Sequence, residues 1–417
     1  MNILIYLFAQ AVVTVQLCLI HTPNTKPAAE HVAVDCYQPR PDELADGDKV
    51  VQEKDSRVKW TLACNSNVHT CQKVEHALLL IAKALENALL LNEINIHVTY
   101  KPICEDKSSC TKSYIGYCRI SQFIGVEREK VTLLYPQALY KQTYHDKPPS
   151  FEPHDMYITI NSNYDFYFPK DYSTTMAPSK VAFVDVLAHE VNHGLGFAST
   201  LEKRTKDLVM PFPQFWESVT STPKNTFIRF YFSAYDQHIS SKSQGISFID
   251  YAKALAKLKA KNVQYKDFKA NIKGYPHHEI IKNLSAAVDL DQDLYFTTHS
   301  NTNVTLECSL FRRGGTLHHL DSATYHNTQD VIMHPNQKKG EGVHKIYDRT
   351  NIWLTAPYGR DTLQVLSTLG YTLNPNPVHE DSLEHFYLQF HPEPFLSRAK
   401  RVFAHLWNFK RLRSFGQ

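Results

Sequence analysis

The residues HEVNH at positions 189–193 place two histidines four positions apart, with a glutamate directly after the first. On a helix, positions i and i+4 lie on one face, so His189 and His193 could bind the same zinc ion. Glu190 would then lie beside the metal, as the general base that takes a proton from the water which the metal activates. The motif therefore predicts metal-dependent hydrolysis. The alternative is two ordinary histidines on a surface helix.

The elements around the motif indicate how it is positioned. Apolar residues recur at helical spacing over residues 181–197, and Gly194 and Gly196 lie where that helix should end. Similar patterns predict a helix over residues 71–91, strands over 94–100 and 156–160, and a last helix over 361–369. Helices and strands in this order predict an α+β domain with a mixed sheet.

Catalytic zinc sites use three protein ligands and leave a position open for water. The residues after His193 follow the H-x-x-G turn of the metzincins, in which a third ligand comes shortly after the glycine. Ser199 stands at that position, and serine is a poor zinc ligand. The third ligand must therefore come from a distant segment.

Several further motifs make the chain resemble a family of secreted HExxH proteins from fungi and bacteria, which are zinc metallopeptidase-like and related to the metzincins. The resemblance covers about residues 64–373 and rests on the order of these motifs along the chain: ITIN at 158–161, HEVNHGLGF at 189–197, GGTLHHLD at 314–321, IMHP at 332–335 and LGY at 369–371. It implies a zincin or metzincin-like catalytic domain, with the HExxH helix as the active-site helix.

The resemblance also implies roles for residues far from the helix. His319 becomes the third zinc ligand, and Met333 belongs to a methionine turn beneath the metal. His318 could compete with His319 as a ligand. Asp236 could be a ligand or a carboxylate behind the ligands, and Asp321 could orient the imidazole of His319.

The predicted domain organisation follows from composition. Residues 1–22 are apolar and predict a signal peptide, or alternatively a membrane anchor. Residues 23–63 are expected to be a leader or linker, and residues 64–375 the zincin-like domain with an insertion at about 200–307. Residues 376–417 are expected to form a basic C-terminal extension.

Cysteine usage favours an oxidising compartment. Eight cysteines are present, and six of them lie between residues 36 and 118, which predicts a disulfide-containing N-terminal region. Asn283 and Asn303 begin Asn-x-Ser/Thr tripeptides and are candidate glycosylation sites. We therefore expect secretion, with anchoring by the N-terminal segment as the alternative.

A net charge of +3 and a hydrophobic content of 43% argue against extended disorder and give no reason to expect a nucleic-acid partner. The sequence thus predicts a secreted zinc metallo-endopeptidase that acts on proteins or peptides. A membrane contact is expected only if the N-terminal segment is not cleaved, and the oligomeric state cannot be inferred. The alternative is a secreted or surface-anchored binding protein with a structural or vestigial zinc site.

Overall fold

The computed structural model describes residues 18–20, 33–34, 48–103, 115–144, 150–168, 176–205, 208–217, 226–242, 245–258, 272–289, 294–308, 317–337, 339–340, 342 and 357–377. Nearly all of the predicted signal, most of the leader and all but two residues of the C-terminal extension lie outside these ranges. The described residues form a mixed α+β fold with several sheets, as the sequence predicts.

The strands are, in chain order, β1 (Cys18–Ile20), β2 (Ala33–Val34), β3 (Lys49–Val51), β4 (Val58–Cys64), β5 (Leu89–Leu90), β6 (Ile94–Lys101), β7 (Gly116–Ile120), β8 (Gln122–Arg128), β9 (Val131–Pro136), β10 (Met156–Asn161), β11 (Phe166–Tyr167), β12 (Val181–Ala182), β13 (Glu202–Thr205), β14 (Leu208–Met210), β15 (Phe212–Glu217), β16 (Thr226–Ser233), β17 (Ile239–Ser241), β18 (Ile246–Ser247), β19 (Leu294–Thr297), β20 (Asn303–Thr305) and β21 (Thr372–Leu373). The α-helices are α1 (Val68–Ala88), α2 (Gln137–Thr143), α3 (Phe183–Leu195), α4 (Phe248–Lys257), α5 (His278–Asp289), α6 (Ser322–Tyr325) and α7 (Arg360–Leu369). Three short 3₁₀ helices span Asp236–His238, Ile272–Gly274 and Gln329–Met333.

The sheet that carries the HExxH helix has five strands in the order β3-β4-β6-β10-β7. Strands β4, β6 and β10 are parallel, whereas the two outer strands run antiparallel to their neighbours. Helix α1 connects β4 to β6, as a parallel pair requires. The buried side chains of β6 alternate along the strand, which accounts for its apolar period of two, whereas five of the six residues of β10 are buried and α3 contacts this strand.

Helix α3 lies close to this sheet because of one glycine. A Cβ atom at Gly194 would lie 2.1 Å from Sδ of Met156 on β10, so no larger residue fits without movement. The helix ends at Gly196, whose φ of +116° is left-handed and suits glycine. Both glycines thus lie where the sequence pattern predicted the end of this helix.

Strands upstream of residue 64 belong to the fold. Trp60 on β4 is 1% exposed and pairs in register with Ile96 of β6, in the middle of the sheet. The boundary predicted at residue 64 was therefore wrong, because the alternation of Val58, Trp60 and Leu62 already forms a buried strand face. Within the predicted signal, β1 pairs antiparallel with β8.

The region around residues 200–307 contributes strands to three further sheets, one of which is the antiparallel pair of β13 and β14. Strand β16 pairs in parallel with β9 and joins the six-stranded sheet β15-β16-β9-β8-β1-β2. Strands β17 to β20 form a four-stranded sheet in the order β18-β17-β19-β20. Within the described residues, no helix is both long enough and apolar enough to cross a membrane.

Candidate metal centre

Three histidines converge on one point. His189 and His193 are one turn apart on α3, and His319 reaches them from a segment 130 positions further along the chain than His189. The Nε2 atom of His189 lies 3.1 Å from Nε2 of His193 and 3.1 Å from Nε2 of His319. Among the described residues, this is the group of histidine, cysteine and acidic side chains whose atoms lie close enough together to hold a metal ion.

Backbone carbonyl groups orient two of the rings. Nδ1 of His189 donates to the carbonyl oxygen of Ile332 at 2.7 Å, and Nδ1 of His193 donates to that of Phe197 at 2.8 Å. A carbonyl oxygen only accepts hydrogen bonds, so each Nδ1 carries the proton and each Nε2 presents a lone pair. This is the form in which histidine binds metals.

The arrangement of the three nitrogens suits a bound cation. Burial lowers the pKa of His189 to about 3 and that of His193 to about 4, so both rings are neutral near pH 7. Two neutral rings oriented in this way direct lone pairs at each other across 3.1 Å, which is repulsive. Two nitrogens bound to one tetrahedral zinc ion lie roughly 3.3 Å apart, so a shared ion would remove the repulsion with little movement.

Glu190 is held against the edge strand β7. The backbone N–H of Cys118 donates to its carboxylate, and the side chain is 6% exposed. A Cβ atom at Gly116 would lie 3.2 Å from Oε1 of Glu190, so the glycine lets the strand approach the carboxylate. Burial raises the pKa of Glu190 to about 8 in the metal-free protein. A carboxylate with a pKa near neutrality suits proton transfer.

The segment around Met333 packs against α3 beside the cluster. Met333 is fully buried, and its Sδ accepts a hydrogen bond from Nδ2 of Asn192 at 3.3 Å. Its carbonyl oxygen accepts from the N–H of Leu320, directly after His319. The 3₁₀ helix that ends at Met333 therefore connects α3 to the segment that carries the third histidine.

A sequence model of the SPBPB7E8-like family matches residues 18–392. The chain belongs to the SPBPB7E8-like family. The chain is similar to "Uncharacterized protein PB7E8.01" of Schizosaccharomyces pombe (strain 972 / ATCC 24843), with 31% identity over 147 residues. That match covers 32% of this chain and 25% of the relative. No solved structure matches the chain.

In this SPBPB7E8-like chain, two acidic residues that were expected near the metal have other partners. Asp236 is fully buried, and its Oδ2 accepts from the N–H and the hydroxyl of Thr200 at 3.0 and 2.6 Å and from the N–H of Ser233 at 2.8 Å. It fixes the loop after α3 and does not belong to the cluster. Asp321 caps α6 instead of orienting His319, because its Oδ2 accepts from the N–H and the hydroxyl of Thr324 at 2.7 and 2.6 Å.

His318 lies beside the cluster, and its Nδ1 has a different kind of partner from the Nδ1 atoms of His189 and His193. Its ring centroid lies 6.3 Å from that of His193, with the two planes nearly perpendicular. Its Nδ1 accepts a hydrogen bond from the N–H of Ser199 at 3.1 Å. The residue that stands at the metzincin ligand position thus contacts His318 through its backbone.

Three supporting groups were missed at the sequence level. The Ile332 carbonyl and the Cys118 N–H are backbone groups, so no residue type announces them. Asp330 is buried and accepts from the N–H groups of Asp361 and Thr362 at 3.2 and 2.7 Å, which fixes the 3₁₀ helix to the start of α7. An Asp near the beginning of a helix pattern is a capping signal, but here the two are 31 positions apart.

The structure describes some of the cysteines and both of the candidate glycosylation sites. Cys64 and Cys71 form a disulfide at the start of α1. Cys118 has a free thiol, and the other cysteines of the predicted cluster lie outside the described side chains. Asn283 and Asn303 are both exposed. The hydroxyl of Ser285, which completes the first tripeptide, is buried against Val209. Glycosylation stays a prediction.

Proposed function

We propose that the chain is a zinc-dependent metallo-endopeptidase with a zincin-like catalytic domain. The observation that carries the proposal is the convergence of three imidazoles, two of them on α3, with the buried carboxylate of Glu190 directly after the first. Three histidines are a ligand set known for catalytic zinc. They leave room for a fourth, exchangeable position, which hydrolysis requires.

His189, His193 and His319 would hold the ion. A bound zinc ion supplies Lewis-acid polarisation of the peptide carbonyl and lowers the pKa of water. The carbonyls of Ile332 and Phe197 keep the ligand nitrogens in their lone-pair form, so little reorganisation accompanies binding.

Glu190 would carry the protons. Its carboxylate accepts a proton from the attacking water and then donates it to the amine that leaves. The N–H of Cys118 keeps one side of the carboxylate in place during both transfers. The pKa of about 8 in the metal-free protein would fall beside a divalent cation, towards the range where the group both accepts and returns a proton.

The experiment compares wild type with Glu190→Gln, each freed of metal by a chelator and then titrated with zinc. We expect wild type to bind about one zinc per chain and to cleave a quenched fluorescent peptide library only after zinc is restored. Glu190→Gln should bind zinc equally and lose about 10²–10⁴-fold in rate. Glu129→Gln serves as the matched control, because Glu129 is an exposed residue paired with Lys253.

Equal cleavage by wild type and Glu190→Gln would contradict the proposed mechanism. Zinc binding by wild type without any hydrolysis would favour the alternative of a binding protein that has kept a metal site. Secretion remains part of the proposal and rests on the apolar N-terminal run and the cysteine content.

A further inference from the structure

The hydrogen bonds of His318 distinguish it from the three histidines of the cluster. His189 and His193 each donate from Nδ1 to a carbonyl oxygen, which leaves a lone pair on Nε2. Nδ1 of His318 instead accepts from the backbone N–H of Ser199 at 3.1 Å. A nitrogen that accepts an amide N–H carries no proton, so the proton of the neutral ring lies on Nε2. Nε2 of His318 can therefore donate a hydrogen bond, whereas Nε2 of His189 and of His193 can bind a metal ion.

The contacts around Ser199 fix this tautomer. Ser199 precedes Thr200, whose N–H and hydroxyl are both bound by the buried carboxylate of Asp236. The hydroxyl of Ser233 donates to the carbonyl oxygen of Ala198 at 2.9 Å, on the other side of Ser199. The loop is thus held from both directions, and its N–H faces the imidazole.

The backbone before His318 adopts a conformation that is unfavourable for its residue type. Leu317 has a φ of +66°, in the left-handed region that leucine rarely occupies. Leu317 and His319 are buried, whereas the His318 side chain between them is partly exposed. The turn directs two successive imidazoles differently, one into the cluster and one beside it. Strain of this kind persists where the surrounding structure imposes it, and it is concentrated at functional sites.

We infer that His318 is a catalytic residue of the proposed peptidase, whose Nε2–H donates a hydrogen bond to the carbonyl oxygen of the scissile peptide bond. This inference rests on the proposed function. As the water oxygen bonds to the carbonyl carbon, the π electron pair moves to the carbonyl oxygen, and the donor stabilises that negative charge. Glu190 takes the water proton, the C–N bond then breaks, and the proton passes to the amine. His318 keeps its own proton throughout.

The two sides of the reaction would thus be served by different elements. Glu190 lies on α3, on the side of the helix that faces β7, where Gly116 and Cys118 contact it. His318 lies on the segment before α6, with its ring edge-on to His193 and its Nδ1 facing Ser199 of the loop after α3. Separate positions for the proton carrier and for the oxyanion donor are what acyl transfer requires.

Two substitutions separate the donor from the rest of the side chain. In His318→Asn, the amide oxygen can take the place of Nδ1 and accept from Ser199, but nothing reaches the Nε2 position. In His318→Gln, the longer side chain can bring an N–H near the Nε2 position. His326→Asn is the matched control, because His326 is an exposed histidine on a nearby turn.

Three quantities are measured for each zinc-loaded variant: the kcat and KM for a peptide, the zinc affinity by chelator competition, and the affinity for a peptide phosphinate by calorimetry. The phosphinate carries a tetrahedral oxyanion and mimics the transition state. For His318→Asn we expect kcat to fall about 10²–10³-fold and phosphinate affinity to fall in parallel, with KM and zinc affinity within about threefold of wild type. His318→Gln should recover part of both losses.

Wild-type kcat and phosphinate affinity in a folded, zinc-loaded His318→Asn protein would overturn the inference and leave the proposed function standing. A large loss of zinc from His318→Asn would also overturn it, because His318 would then be a ligand. Equal cleavage by wild type and Glu190→Gln in the same assay would instead show that the proposed function has failed, and the inference with it.

Discussion

Gly194 lies where the site helix touches strand β10, and replacing it with alanine is expected to push the helix away from the sheet. The added Cβ would lie 2.1 Å from Sδ, 2.6 Å from Cε and 3.1 Å from Cβ of Met156, which is fully buried. Overpacking of this kind destabilises by about 1–3 kcal/mol. Alanine gains about 1 kcal/mol in helix propensity over glycine, so the net loss of unfolding free energy should be about 0–2 kcal/mol.

The same displacement should weaken metal binding. Gly194 follows His193 directly, whereas His319 is held by a different segment, so a shift of the helix separates the three Nε2 atoms. Removing the obstructing side chain with Met156→Ala should alone destabilise by about 2–5 kcal/mol, because it leaves a cavity. In the double variant the new methyl group occupies part of that cavity. The double variant should therefore lose about 1–3 kcal/mol less than the sum of the single losses, and it should regain zinc affinity.

Denaturant unfolding of all four proteins measures the coupling, and chelator competition measures the zinc affinity. Gly245→Ala is the control, because an added methyl there meets nothing while φ is +61°. That variant should lose stability through backbone strain and keep its zinc affinity. If the effects of Gly194→Ala and Met156→Ala add to within about 0.5 kcal/mol, the account of how the helix is seated is wrong.

Three further predictions concern the surroundings of the site. Removing the disulfide at the start of α1 by Cys71→Ser should lower the unfolding free energy by about 2 kcal/mol, and an unchanged denaturation midpoint would show that the bond is absent in solution. Asp330→Ala should destabilise the fold by about 1–2 kcal/mol through loss of the cap on α7. It should also weaken zinc binding, because the Ile332 carbonyl that orients His189 would be held less firmly. A zinc affinity equal to that of wild type would disprove this link. In metal-free protein the pKa values of His189 and His193, about 3 and 4, lie below the ordinary 6.5, so the unfolded chain takes up protons first and stability is lost as the pH falls below 6.5 towards 4. Glu190, with its raised pKa, opposes this trend, so the test uses a Glu190→Gln background. Between pH 7.5 and 5 this variant should lose roughly 4 kcal/mol more unfolding free energy than the same protein with both histidines also changed to Gln. Equal losses of unfolding free energy in the two proteins would show that the rings are not held neutral.

Local periodicity was enough to predict the helix that carries the motif. Apolar spacing over residues 181–197 and the two glycines predicted it, and α3 spans Phe183–Leu195 with Gly196 as its C-cap. Strands β6 and β10 were likewise predicted within a residue, because apolar residues recur at every second position of both strands, although β10 is buried on both faces. The predicted helix over 71–91 begins earlier, at Val68, because Asn67 caps it by accepting from the N–H of Thr70.

Long-range geometry could not be derived from residue types alone. His319 was named through the resemblance, and nothing in its own surroundings in the sequence separates it from His318. The structure separates the two by their partners: Nδ1 of His318 accepts from the N–H of Ser199, whereas Nε2 of His319 lies 3.1 Å from Nε2 of His189. Asp321 occupies the N-cap position of α6, which aspartate favours, but Thr324 does not complete the Glu or Gln pattern that marks a capping box in a sequence.

Asp236 is a residue for which the sequence suggested a metal ligand and the structure shows other partners. An aspartate near a predicted metal site suggests a ligand, but the carboxylate of Asp236 instead accepts two hydrogen bonds from Thr200 in the loop after α3 and one from the nearby Ser233. Which of the two applies depends on the path of β16 back to the end of α3. That path is a tertiary feature, and no local pattern contains it.

The zinc content of purified protein tests the central claim most directly. Wild type and His319→Ala are dialysed against the same chelator-buffered zinc solution, checked for cooperative unfolding, and analysed for zinc by elemental analysis. The three converging imidazoles predict about one zinc per wild-type chain and a severe loss in His319→Ala, because two histidines leave the ion under-coordinated. Folded wild type without zinc, or equal zinc in both proteins, would contradict the account.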